Sequence, residues 1–204
     1  MSFFPPDPEI PEPDDDMESN SPRWWAPPED EVPALAPVSE ILAITDHVAI
    51  ALIGAAVFRD GVEFRVERRL RRHGLASAEW NELCATFMEH HPWGGPSGAQ
   101  GRLRFGLVLG DGQKVLLDGG GRFTGDFDPT AEPRSHVLSR HGGSGGGSNG
   151  YFSGSDSLWL WPLPPSGPIE FVLQWPALGI GEARTILDGS ELAACAPRAT
   201  SLWP

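Results

Sequence analysis

The segment 158–175, LWLWPLPPSGPIEFVLQW, restricts the possible folds more than any other part of the sequence. Its first four residues are apolar on both faces, as in a strand buried between two layers. Residues 169–175 alternate with the period of a β-strand, with apolar side chains at Ile169, Phe171, Leu173 and Trp175. Prolines between and after the two runs lack a ladder N–H and fix φ, so they end each strand. The segment therefore predicts a hairpin of two apolar strands with a stiff turn.

Two further hairpins are predicted upstream, one on each side of a helix. Residues 48–58 form an apolar run, a turn signal follows at 59–61, and residues 62–67 alternate between apolar and charged side chains. Residues 103–117 form a second pair of runs around Gly110-Asp111-Gly112. Between these pairs, residues 77–90 place apolar side chains at helical spacing after Ser77, a suitable N-cap.

The remaining segments are assigned by composition. Residues 1–36 hold nine of the 21 prolines and many acids, which predicts a disordered acidic tail. Residues 141–156 begin with HGGSGGGSNG, which predicts a glycine-rich loop between strands. A last strand is expected near 182–187 and a short helix near 190–195, and the apolar Trp203 is expected to dock on the domain.

The predicted fold is all-β with minor α content, as a single domain over residues 37–204. Hairpins at short spacing favour an antiparallel two-sheet β-sandwich, for which an immunoglobulin-like arrangement is one option. One amphipathic helix would pack on the sheets.

Charge and cysteine usage restrict the compartment and the partners. Residues 1–31 hold ten acids and one base, a balance of -9 within the total of -13, so the domain itself is only mildly acidic. This balance disfavours nucleic acid as a partner of the whole molecule. The two cysteines, Cys84 and Cys195, lack disulfide or metal spacing, and we find neither a signal-peptide pattern nor a membrane span. We expect a cytoplasmic protein, with its oligomeric state left open.

Two groups of residues are candidate binding sites. Trp24 and Trp25 form an aromatic pair in an acidic background; the pair either packs on its own domain or serves as a docking peptide for a protein partner. The second group is a basic cluster, which is either a solvated sheet edge or a site for RNA or a phosphate ligand that the acidic tail masks. Its members are Arg65, Arg68, Arg69, Arg71 and Arg72.

No catalytic residue, metal site or cofactor is assigned from the sequence. The run 142–146 matches a nucleophile elbow only formally, because no histidine follows His141 in the chain. The run 145–150 matches a dinucleotide fingerprint, but no βαβ unit surrounds it. The histidines and aspartates do not show the spacing of a known metal site.

The run WPLPPSGPIEFVLQWPALGI, which follows a glycine-rich segment and precedes a terminal SLWP, resembles a family of small actinobacterial proteins. The resemblance covers roughly residues 37–204. It implies a cytoplasmic location and brings no established activity, ligand or catalytic residue with it.

We rank a non-enzymatic protein–protein interaction module first, an adaptor or accessory subunit that uses the acidic tail or an apolar sheet face. A protein that binds a small molecule or nucleic acid through the arginine cluster ranks second. An enzyme with a site at the glycine-rich loop ranks third.

Overall fold

A computed structural model of the chain describes residues 22–88, 101–117 and 131–203. Within these ranges the chain forms twelve strands and two α-helices. The strands are β1 (Glu31–Val32), β2 (Ala34–Ala36), β3 (Glu40–Ile44), β4 (Val48–Val57), β5 (Val62–Arg71), β6 (Arg104–Val108), β7 (Lys114–Leu116), β8 (Val137–Ser148), β9 (Tyr151–Trp161), β10 (Pro168–Trp175), β11 (Ile180–Asp188) and β12 (Thr200–Ser201). The helices are α1 (Ser77–Met88) and α2 (Gly189–Cys195).

Two antiparallel sheets form the body of the domain. The larger sheet has the order β2-β4-β5-β9-β8, with β3 also paired to β4, and the smaller sheet has the order β11-β10-β6-β7. Strands β1 and β12 pair separately and join the two ends of the described chain. The predicted all-β architecture with minor α content is confirmed.

The strand order is compatible with an immunoglobulin-like sandwich, the option left open by the sequence. Strands β4-β5-β9-β8 follow the ABED order of one immunoglobulin sheet, and β11-β10-β6 follow the GFC order of the other, with β7 beside β6 as an added edge strand. The likeness is one of connectivity, because the inter-sheet disulfide of antibody domains is not made. Cys84 lies in α1 and Cys195 in α2, and both are free thiols.

The core lies between the facing sides of the two sheets. Phe64 of β5 meets Phe171 of β10 edge-on, with ring centroids 5.7 Å apart, and both side chains are buried. Helix α1 covers the core where Phe87 stacks on Trp175 at 5.5 Å. Alternation along β5 and β10 explains this packing, because every second side chain of a strand faces the same side.

The predicted hairpins β4–β5 and β6–β7 and the last strand and short helix are confirmed. The helix expected over 77–90 begins at Ser77 as predicted; its last described residue is Met88, and residues 89 and 90 lie outside the described ranges.

The hairpin predicted over 158–175 is wrong. Its two strands are β9 and β10, which lie in different sheets, β9 beside β5 and β8, and β10 beside β6 and β11. An apolar strand followed by prolines is compatible with a hairpin or with a crossing between sheets, because the pattern does not identify the pairing partner. Here residues 162–167 carry the chain from one sheet to the other.

The glycine-rich loop predicted over 141–156 is also wrong, because these residues lie in the paired strands β8 and β9. Close approach explains two of the glycines of β8. A Cβ on Gly147 would stand 2.4 Å from the ring of Phe152, its partner across the ladder, and one on Gly143 would stand 2.8 Å from the carbonyl oxygen of Ser155. Glycine in a strand often marks such a contact.

The domain begins earlier in the chain than predicted, and Trp203 near its C-terminus is more exposed than expected. Strands β1 and β2 lie within the residues assigned to a disordered tail, and the alternation of β2 buries Ala34 and Ala36 against β4. Residues 1–21 lie outside the described ranges. Trp203 does not dock as expected, since it is 70% exposed.

Candidate functional site

Residues 22–25, which we call the N-terminal segment, lie across the outer face of the larger sheet. Trp159 of β9 is fully buried there, in a cluster with Ala56 and Phe58 that is separate from the main core. Its indole Nε1 donates a hydrogen bond of 2.8 Å to the carbonyl oxygen of Arg23. The N-terminal segment therefore serves as the cover of this second cluster.

A serine on the neighbouring strand holds the same segment. The Ser139 hydroxyl of β8 lies 3.3 Å and 3.1 Å from the carbonyl oxygens of Trp24 and Trp25, which share its single donor hydrogen. A backbone hydrogen bond of 2.9 Å from Trp25 to Pro22 closes a turn. Of the two roles considered for the tryptophan pair, the structure places Trp24 and Trp25 on their own domain, with both side chains partly exposed.

This arrangement forms an open cleft of about 460 Å³, which we call the tryptophan cleft. Its lining residues come from the N-terminal segment, the β4–β5 turn, the segment before β8 and the end of β9. They are Arg23, Trp24, Asp60, Glu132, Trp161, Pro162 and Leu163. The rings of Trp24 and Trp161 have centroids 5.9 Å apart and are tilted by 56°.

Three polar atoms of the lining are buried without a hydrogen-bond partner among the described residues. They are Nε1 of Trp24, Nε1 of Trp161 and Oδ1 of Asp60. A buried polar group without a partner costs about 1–3 kcal/mol, so native proteins rarely leave such groups together without a reason. These two donors and one acceptor are therefore unsatisfied groups of the cleft among the described residues.

The β4–β5 turn places Asp60 at the cleft because the backbone there approaches Trp159 closely. A Cβ on Gly61 would lie 2.4 Å from the Trp159 ring and 2.7 Å from the carbonyl oxygen of Leu160. Only glycine fits at that position. Asp60 also faces Arg23 at 3.9 Å, but the Arg23 side chain is 80% exposed, so this pair contributes little to stability.

The arginines of the predicted basic cluster do not all lie on one face. Arg65 and Arg69 lie on the outer face of β5 and pair with Glu63 and Glu67 of the same strand. Arg71 donates to the carbonyl oxygen of Asp46 at 2.8 Å. Arg72 donates to the carbonyl oxygen of Leu75 at 2.9 Å and to the Ser77 hydroxyl at 3.0 Å. These groups are engaged by carboxylates and carbonyls of the same domain.

Arg68 points the other way, into the space between the sheets. Its Nε donates to Asp156 Oδ2 at 2.7 Å, and its guanidinium carbon lies 5.2 Å from the Phe87 ring centroid and 5.6 Å from that of Trp175. Arg140 approaches Asp156 Oδ1 at 3.3 Å. Burial lowers the pKa of Arg140; Asp156 raises it and the charge of Arg68 lowers it further. We call these three residues the interior ion cluster.

A partly covered histidine beside Glu63 provides a pH-dependent test of the sheet. Burial lowers the pKa of His141 below the ordinary 6.5, while Glu63, at 3.7 Å, raises it. The unfolded chain therefore binds a proton at a higher pH than the folded chain does. His141 should stabilise the fold fully above pH 6.5 and lose that contribution as the pH falls from 6.5 to the lowered value. Urea unfolding of the wild type and of His141→Gln at several pH values should show a difference that shrinks over this window. A difference in unfolding free energy that stays constant with pH would contradict this prediction.

An exposed apolar patch lies on the outer face beside β3. Ile41 and Ile44 are 67% and 68% exposed and stand across from Ala51 and Ala49 of β4. This is an apolar sheet face of the kind expected from the sequence, and it borders Arg69 and Glu67 of β5, which stand across from Ala49 and Ala51 on the other side of β4.

Of the cleft residues, sequence reasoning identified Trp24 and missed the others. Asp60 entered only as part of a turn signal, and Trp161 and Pro162 only as the end of a strand. In the parts of the chain that the structure describes, no group of three or more His, Cys, Asp or Glu side chains could hold a metal ion. Among the same residues, no helix has the length and hydropathy needed to span a membrane.

No protein-family model matches the chain, and no curated protein or solved structure is significantly similar to it.

Proposed function

We propose that this chain is a protein–protein interaction module, an adaptor or accessory subunit, that holds a segment of its partner in the tryptophan cleft. The observation that carries the proposal is the group of three buried, unpaired polar atoms beside the Trp24–Trp161 pair. Tryptophan is the residue type most enriched among the side chains that dominate binding energy at interfaces. A partner that forms hydrogen bonds with these three atoms would remove the free-energy cost of leaving them unsatisfied. It would also gain contacts with the rings of Trp24 and Trp161.

The two alternatives have less support. The arginine-cluster hypothesis needs guanidinium groups that are free for a ligand, whereas Arg65 and Arg69 are paired with carboxylates. The enzyme hypothesis needs a site beneath a loop at 141–156, and those residues lie in paired strands.

We also propose a cytoplasmic location, since the free thiols of Cys84 and Cys195 suit a reducing compartment.

Alanine substitutions at Trp24 and Trp161 test the proposed function. Each should weaken partner binding at least about 30-fold, the effect of losing a dominant interface side chain. The measurement is affinity capture from source lysate with quantitative mass spectrometry, followed by titration of the captured partner.

Trp203→Ala is the matched control, because Trp203 is 70% exposed and lies outside the cleft lining. It should bind like the wild type. Circular dichroism and thermal unfolding of each variant exclude loss of fold as the cause. A partner that both cleft variants retain at wild-type affinity would refute the proposal.

A further inference from the structure

We infer that the ligand of the tryptophan cleft is a polyproline II segment of a partner protein that carries a lysine or arginine next to its prolines. This inference rests on the proposed function and deepens it by naming the ligand class. It follows from the hydrogen-bonding groups, the apolar surface and the charge of the cleft.

The unpaired groups of the cleft are mainly donors. Trp24 and Trp161 each offer one indole N–H, and an indole can only donate. A polyproline II helix has no internal hydrogen bonds, so its carbonyl oxygens are free to accept them. Its prolines have no N–H and so require no acceptor from the cleft. An extended β-type peptide would bring about as many donors as acceptors, and that balance does not match the two indoles.

The apolar surface of the cleft also suits proline rings. The tilted rings of Trp24 and Trp161 adjoin Pro162 and Leu163, so four of the seven lining residues are aromatic or aliphatic. Proline-rich segments dock on aromatic-lined grooves of this kind, and their preformed helix loses little conformational entropy on binding. Both indole nitrogens are buried in the free protein, so the inferred hydrogen bonds require the two tryptophan side chains to turn toward the ligand.

The charges of the cleft favour a ligand with a cationic side chain. Asp60 and Glu132 outnumber the single base, Arg23, and the Oδ1 atom of Asp60 has no hydrogen-bond partner. A lysine or arginine of the ligand donates to that oxygen and fixes the direction in which the segment lies. The chain's own residues 5–13 contain five prolines but three acids and no base, so they fit the apolar surface and not the charge.

The inference is tested with the full chain and three synthetic 12-residue peptides. The first has a PxxP core and a flanking arginine, the second replaces that arginine with glutamate, and the third replaces the prolines with alanine. Binding is measured by calorimetry and by the indole N–H resonances in NMR spectra, assigned with Trp24→Ala and Trp161→Ala. The expected result is selective movement of these two resonances and binding of the first peptide at least tenfold tighter than either of the others.

Two variants separate the parts of the inference. Asp60→Asn should remove most of the preference for arginine over glutamate while proline-dependent binding remains. Trp203→Ala should change nothing.

Failures of the inference and of the proposed function are distinguishable. Equal binding of the alanine peptide, or movement of the indole resonances by a cello- or malto-oligosaccharide alone, overturns the polyproline assignment. The proposed function nevertheless stands if the polyproline assignment fails but binding of a captured partner still depends on Trp24 and Trp161. If no peptide binds and the cleft variants keep every captured partner, both are overturned.

Discussion

Replacing Asp156 with asparagine is expected to lower the free energy of unfolding by about 3–5 kcal/mol, the usual cost of removing one partner from a buried ion pair. The side chains of Arg68 and Asp156 are only 4% and 2% exposed, so water cannot replace the lost counter-ion. The effect is large for a second reason. Asp156 faces both Arg68 and Arg140, and its loss leaves two buried like charges together.

Arg68→Met separates this explanation from simple loss of packing. It leaves Arg140 and Asp156 as a neutral pair, so its cost should be clearly smaller than that of Asp156→Asn. Glu67→Gln is the surface control, because its partner Arg69 is exposed on the same strand and such pairs contribute about 0–1 kcal/mol. Urea unfolding at constant pH measures all three variants. A cost of Asp156→Asn no larger than that of Glu67→Gln would show that the interior ion cluster does not stabilise the sandwich.

The second large effect is expected at Trp159. Truncation to alanine should cost about 3–5 kcal/mol, because the side chain is fully buried and the cavity would not close completely. It should also abolish binding in the tryptophan cleft, since Trp159 holds the carbonyl oxygen of Arg23 through its indole N–H. Hydrogen exchange should show loss of protection in residues 22–28.

Trp159→Phe isolates the hydrogen bond from the packing. The ring remains against Ala56 and Phe58, while the bond to Arg23 is lost at a cost of about 0.5–1.5 kcal/mol plus the volume change. We expect faster exchange in the N-terminal segment with the sheets intact. Unchanged exchange there in both variants would mean that Trp159 does not hold the segment. Trp203→Ala, by comparison, should shift stability by less than about 0.5 kcal/mol.

The sequence allowed the hairpins β4–β5 and β6–β7 to be recognised, but it did not identify the pairing partners of β9 and β10. Alternation along residues 62–71 and 168–175 reflects a local property, the two faces of a strand, and both segments are strands. Whether β10 pairs with β9 or with β6 depends on contacts between residues far apart in the chain, which alternation does not encode. Glycine was the other source of error. In β8 it permits close packing of Phe152, whereas composition alone indicated flexibility.

The candidate site was harder to predict than the fold, for a related reason. Its polar groups come from residues 23, 24, 60, 132 and 161, which are separated in sequence and meet only after the N-terminal segment crosses the sheet. Arg68 shows the converse, because residues that are neighbours in the sequence can lie apart in the structure. It belongs to a basic run in the sequence, yet strand alternation sends it inward, away from Arg65, Arg69 and Arg71.

The way the N-terminal segment is attached makes the domain suitable for redesign. Trp159 and Ser139 hold it through the carbonyl oxygens of residues 23–25, which every amino acid possesses, and not through its side chains. A library randomised at position 24 would keep these attachments in every member. Selection from such a library could retarget the domain to new ligands, because these backbone attachments do not depend on the side chain at position 24.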